Sequence, residues 1–141
     1  MWKKIKNIIF GYILCLVWIL VVDYFFSQIG YHQVEGESEE SDSFYYIAFI
    51  LCIWAPLWEE ALYRYGPITI AKSIGNQYVI PVIIMSSCIF GWGHGESHDG
   101  VLIQGVLGLI FSMVYIKNNY SYISSVLLHS GYNLTLLLIN L

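Results

Sequence analysis

Five times along this chain an apolar run of membrane-crossing or near-crossing length is closed off by a polar break. The first, Ile8 to Phe26, holds about 19 residues with one acidic group, Asp23, near its end; about 20 apolar residues cross the hydrocarbon core. The others run from Phe44 to about Lys72, Tyr78 to His94, Val101 to Ile116 and Ile123 to Leu141. The breaks are an acidic stretch from Ser27 to Ser43, a turn at Ser73 to Gln77, a polar loop from Gly95 to Gly100, and a turn at Lys117 to Asn119. No run shows strand alternation. In lipid only helices and closed barrels satisfy their own backbone, and a barrel needs many more strands. The sequence therefore predicts an all-α, polytopic membrane helical bundle of about five transmembrane helices, with residues 1–141 as a single integral-membrane domain.

Composition excludes the competing classes. Hydrophobic residues make up 57% and charged residues 11%, against about 25% charged in a soluble domain. A small chain has much surface for its volume and needs more charge in water, not less. This rules out a soluble monomer, and disorder as well. A net charge of −4 with six basic residues excludes a nucleic-acid partner. The lysines set orientation. With the N-terminus in the cytoplasm, Lys3, Lys4, Lys6, Lys72 and Lys117 all fall inside, while Glu35 to Asp42 and Glu96/Asp99 fall outside. The first run reads as a retained helix, too long for a signal-peptide core and without a small-x-small cleavage site. Cys15, Cys52 and Cys88 lie in apolar runs without metal-ligand spacing and read as packing residues. Pro56, Pro67 and Pro81 are candidate helix kinks.

Six polar side chains interrupt the runs: Glu59, Glu60, Arg64, His94, His129 and Asn133. A charge at bilayer depth costs about 2.5–3.5 kcal/mol or more, so it needs a partner or a function. Glu60 and Arg64 stand four apart on one helical face and read as an ion pair. One arginine does not also neutralise Glu59, which points about 100° away. His129 and Asn133 share a face of the last helix, an arrangement that also suits interhelical hydrogen-bond glue. His94 also suits a membrane interface. Depth argues for more. At 1.5 Å per residue, Glu59 lies about 20 Å from the turn at Lys72, His94 about 25 Å from Gln77 and His129 about 15 Å from Asn119. Three helices thus bring polar groups to similar depth, and one shared cavity is expected. Glu96, His98 and Asp99 read as a solvated loop.

These residues also carry a resemblance. Glu59-Glu60-Ala61-Leu62-Tyr63-Arg64 matches EExxxR, Phe90-Gly91-Trp92-Gly93-His94 matches FxxxH, and His129-Ser130-Gly131-Tyr132-Asn133 matches HxxxN. In this order they resemble the CPBP family, also called Abi, over about Ala48 to Leu141. That family includes type II CAAX prenyl endopeptidases and bacterial membrane proteins linked to bacteriocin processing or self-immunity. The resemblance implies an intramembrane endopeptidase acting on a membrane-anchored peptide or protein. Glu59 and His94 would position and deprotonate a water. His129 and Asn133 would form the oxyanion site, and Glu60 and Arg64 would hold the glutamate helix. The residue types suit those roles, since Asn donates through its amide and neutral His through one nitrogen. A zinc site on Glu59, His94 and His129 is the rival chemistry; the preferred reading has no cofactor. A non-catalytic bacteriocin self-immunity protein is the alternative function. A transporter or channel subunit is a third, without the internal repeats usual there. The resemblance and the absence of targeting signals favour a bacterial cell membrane.

Overall fold

The computed structural model describes residues 1–29, 43–94 and 98–139. The charge run Glu35 to Asp42, Glu96 and the side chain of His98 lie outside the described residues. The described residues form five helices and no strand: α1 (Trp2–Gln28), α2 (Phe44–Ile74), α3 (Asn76–Trp92), α4 (Val101–Lys117) and α5 (Tyr122–Ile139). The all-α expectation holds, and each helix falls on one of the five apolar runs. By length and apolarity α1, α2 and α5 are each sufficient to cross a membrane, while α3 and α4 are shorter apolar helices. The polar loop expected to reach Gly100 ends earlier. His98–Gly100 is already a helical turn, where Asp99 Oδ1 accepts the Gly100 N–H at 3.1 Å. An acidic side chain in a first helical turn is favourable.

Helix α2 is not a regular α-helix. It contains two π-helical turns, Ile50–Trp54 and Ala61–Tyr65, each followed two residues later by a proline, Pro56 or Pro67. Proline donates no N–H and its ring crowds the carbonyl four residues back. The Ala55 N–H bonds to Ile50 O, so the next carbonyl, Leu51 O, looks to Pro56 and finds no donor. The partner comes from another helix: Asn133 Nδ2 of α5 donates to Leu51 O at 2.9 Å. At the second turn the Tyr63 carbonyl, four residues before Pro67, accepts the Ser86 hydroxyl of α3. Neighbouring helices re-satisfying freed backbone groups is how membrane proteins accommodate proline. Here it also ties α2 to α3 and α5.

Two apolar clusters flank this region. Cys15, Leu107, Phe111, Val114, Leu128 and Tyr132 join α1, α4 and α5. Ile68, Ala71, Val79, Ile83 and Tyr115 join α2, α3 and α4. The three cysteines are free, and Cys15 is buried in the first cluster. Much of the outer surface is apolar, with Leu20, Leu62 and Ile80 each more than half exposed. Such a surface is untenable in water and suited to lipid; this is a membrane protein. At one end, Asn7 donates to Asn118 Oδ1 at 2.7 Å and Asn118 Nδ2 to Lys4 O at 3.2 Å. Lys72 Nζ lies 3.5 Å from the Tyr120 ring centroid and Lys117 Nζ 5.5 Å from that of Phe10. The lysines of α1, α2 and α4 thus share one end of the bundle.

Candidate active site

Glu59 and Glu60 lie between the two π-helical turns of α2, on the one regular stretch of that region, Ala55–Glu60. Their side chains part as the helical twist requires. Glu60 and Arg64 are 0% and 1% exposed, whereas Glu59 and His94 are 22% and 32% exposed. The first pair is sealed in protein and the second reaches open space.

Glu60 Oε1 lies 3.2 Å from Arg64 Nη1, the i,i+4 pair expected from sequence. The geometry is that of an ion pair, not an aligned hydrogen bond, and none of the guanidinium nitrogens has a hydrogen-bond partner among the described residues. Aromatic faces take over. The guanidinium carbon stands 4.1 Å from the Phe90 ring centroid, 5.3 Å from Phe111 and 6.0 Å from Tyr63. Arginine stacks on such rings more readily than lysine does. Gly108 makes the room: a Cβ there would sit 2.8 Å from Arg64 Nη2.

Three helices then converge on Glu59. His94 Nε2 lies 3.4 Å from Glu59 Oε1, and His129 Nε2 lies 3.6 Å from Glu59 Oε2. The other ring nitrogens are taken. His94 Nδ1 is 2.8 Å from Phe90 O, and a carbonyl only accepts, so Nδ1 carries the hydrogen. His129 Nδ1 is 2.9 Å from Glu60 Oε1, again a donor to an acceptor. In a neutral ring with Nδ1–H, Nε2 is a lone pair. The Glu59 carboxylate therefore faces two acceptor nitrogens. A proton or a donor such as water must sit among the three groups for the contacts to be favourable. His129 can donate to both carboxylates only as an imidazolium. Its ring stacks on Phe111 with centroids 4.6 Å apart and planes at 27°.

Glu59, His94, His129 and Asn133 line one cavity of about 410 Å³, with Leu51, Ala55 and Leu136 among its apolar walls. The single-cavity expectation drawn from depth is met in the structure. Asn133 sits there with one amide N–H already given to Leu51 O, leaving its second for a ligand. Helix α5 is fixed against α2 a turn away, where the Tyr122 hydroxyl donates to Leu57 O at 2.6 Å.

Two features escaped the sequence. The bond from His129 to Glu60 joins residues 69 positions apart, a pairing that the four-residue spacing of Glu60 and Arg64 does not signal. Gln104 of α4 also lines the cavity. The signal was present: Gln104 is a carboxamide inside an otherwise apolar run, as far from Lys117 as Glu59 is from Lys72. A zinc ion would have to draw on Glu59, His94 and His129. Among the described residues no group of three His, Cys, Asp or Glu side chains is arranged to hold a metal.

Against known proteins, residues 41–135 match the family model described as type II CAAX prenyl endopeptidase Rce1-like. No curated protein and no solved structure matches the chain. The matched span contains all six polar residues of the site and both π-helical turns of α2.

Proposed function

The chain belongs to the type II CAAX prenyl endopeptidase Rce1-like family, and on that premise we propose that it is an intramembrane endopeptidase hydrolysing a membrane-associated peptide or protein with a Glu/His-activated water. One observation carries the reading. The Glu59 carboxylate faces the Nε2 atoms of His94 and His129, whose Nδ1 atoms are each tied to another acceptor.

Glu59 Oε1 and His94 Nε2 are close enough to bind the same water, which would donate one hydrogen to each and present its lone pairs outward. Glu59 accepts the proton as the water oxygen attacks the scissile carbonyl. The oxyanion then needs donors, and two are at hand: the second amide N–H of Asn133 and, as imidazolium, Nε2–H of His129. Either Glu59 or His129 can return a proton to the leaving amine. Glu60 holds the His129 ring in orientation, as a carboxylate does behind a catalytic imidazole. Arg64 supplies the counter-charge to the buried Glu60 carboxylate.

The substrate in this reading is a segment anchored in the bilayer, reached from a cell membrane of bacterial type, with the lysine-bearing end of the bundle in the cytoplasm. The test is Glu59→Gln and His94→Ala in cells matched for protein level, scored by new peptide N-termini in the membrane fraction. Loss of a set of wild-type termini in both variants supports the reading. If both variants keep every terminus and any bacteriocin protection intact, a binding-only immunity role replaces it.

A further inference from the structure

Gln104 lines the cavity beside Glu59, His94, His129 and Asn133. Its carboxamide has no hydrogen-bond partner among the described residues. The four other polar side chains are each engaged with protein: the histidines at Nδ1, Glu59 with both rings, Asn133 with Leu51 O. Gln104 offers both a donor and an acceptor there with no protein contact drawing on either. It stands about 20 Å along α4 from Lys117 at 1.5 Å per residue, a depth at which an unpaired amide is costly unless it meets water or a ligand.

The turn that carries it is held from two sides. Gln104 lies in the π-helical turn Val101–Gly105, a kind of irregularity common at functional sites. Gly91 of α3 abuts that turn so closely that a Cβ would fall 2.7 Å from Gly105 N, Gly100 O and Val101 Cα. On the other side, Trp18 Nε1 of α1 donates to Ile103 O at 3.2 Å. Helix α3, which presses on the turn, leads directly into His94. Gln104 and His94 are thus set relative to each other by backbone contact.

A carboxamide carried on a turn held from both sides, with a free donor and a free acceptor, is the complement of a peptide group. Resting on the protease reading, we propose that Gln104 is a substrate-binding residue whose carboxamide pairs with a backbone peptide group of the bound segment near the scissile bond. A peptide group inside a helix has both its N–H and its C=O engaged. Gln104 therefore selects a segment that is unwound where it crosses the cavity.

The experiment uses the full chain in detergent micelles and a defined pool of synthetic apolar peptides, with Glu59→Gln as the inactive control. For one cleaved peptide, each backbone amide flanking the scissile bond is replaced in turn by an ester, which removes one N–H. Gln104→Leu lowers kcat/KM for the parent peptide about tenfold, mainly through KM, as expected for one lost hydrogen bond. One ester position costs the wild type a similar factor and costs Gln104→Leu nothing more. Gln104→Glu, which keeps the acceptor oxygens, retains the ester sensitivity. A merely structural role for Gln104 would leave the ester profile of Gln104→Leu like that of wild type, and that result overturns the proposal. So does a wild-type KM in Gln104→Leu. If the wild type cleaves no peptide of the pool above the Glu59→Gln control, the protease reading itself fails and this inference falls with it.

Discussion

Replacing Arg64 by methionine should separate what holds the site together from what makes it act. The guanidinium is 1% exposed beside a Glu60 carboxylate that is 0% exposed, 3.2 Å away. Removing one partner of a buried pair leaves an uncompensated charge and costs about 3–5 kcal/mol. Phe90, Phe111 and Tyr63 also lose the cation they pack around. Methionine fills part of the volume but carries neither charge nor fork. Against a total stability of about 5–15 kcal/mol, that loss is a large fraction. Arg64→Met should therefore fall in abundance and unfold at lower temperature in a mild detergent. The double variant Glu60→Leu/Arg64→Met removes both charges and should regain most of the abundance, because replacing a buried pair by apolar residues is often neutral. It should not regain activity. His129 Nδ1 would then have lost the acceptor that lies 2.9 Å away in the wild type. The assay pairs immunoblot abundance and thermal unfolding with peptide cleavage per folded molecule. Wild-type abundance in Arg64→Met would refute the stability argument. Full activity in the double variant would refute the role given to Glu60 behind His129.

Three further outcomes follow from particular contacts. Gly91→Ala places a methyl 2.7 Å from Gly105 N, Gly100 O and Val101 Cα; backbone has no room to yield, so α3 and α4 must part at an overpacking cost of about 1–3 kcal/mol of stability, and cleavage per folded molecule should drop because His94 and Gln104 shift relative to each other. Unchanged kinetics at normal abundance would show that the contact is not needed. Asn133→Leu leaves Leu51 O without its donor next to Pro56 and should cost about 1–3 kcal/mol of stability in thermal unfolding as well as activity, whereas an oxyanion role alone would spare stability. Topology is tested by cysteine labelling at Asn119 and Ser41 in intact cells: Ser41→Cys should react with a membrane-impermeant thiol reagent and the exposed Asn119→Cys should not, and the reverse pattern would invert the orientation read from the lysines.

Much of this architecture is written locally in the chain, and what is missing from the local reading is long-range. The five apolar runs and their polar breaks locate the helices, because in lipid the backbone leaves no alternative; the largest difference is at the start of α1, which begins at Trp2 and so takes in the lysines ahead of the apolar run from Ile8. Glu60 and Arg64 are legible because a four-residue spacing is a contact in itself. Depth arithmetic brings Glu59, His94 and His129 to one level, and the structure seats them around one carboxylate. The pairing of His129 with Glu60 is different. It depends on how α5 rotates against α2, which no spacing within either helix encodes. The prolines of α2 are visible in the sequence. That Asn133 and Ser86 would cap the carbonyls they disturb is not, since both donors arrive from other helices. Gln104 was within reach of the same depth argument that singled out the charged residues. A neutral amide, however, does not break an apolar run as visibly as a charge does.

The central claim is that Glu59 activates a water for peptide hydrolysis. The most direct measurement is turnover of a defined apolar peptide by wild type and Glu59→Gln, reconstituted at equal amounts in the same lipid vesicles. Glutamine keeps the size and much of the hydrogen bonding of the side chain, so the variant should remain folded while its turnover falls about 10²–10⁴-fold, the usual contribution of a general base. A chelator should leave the wild type unaffected; reversible loss of wild-type turnover on chelation would move Glu59, His94 and His129 into the role of metal ligands. Wild-type turnover in Glu59→Gln would contradict the account.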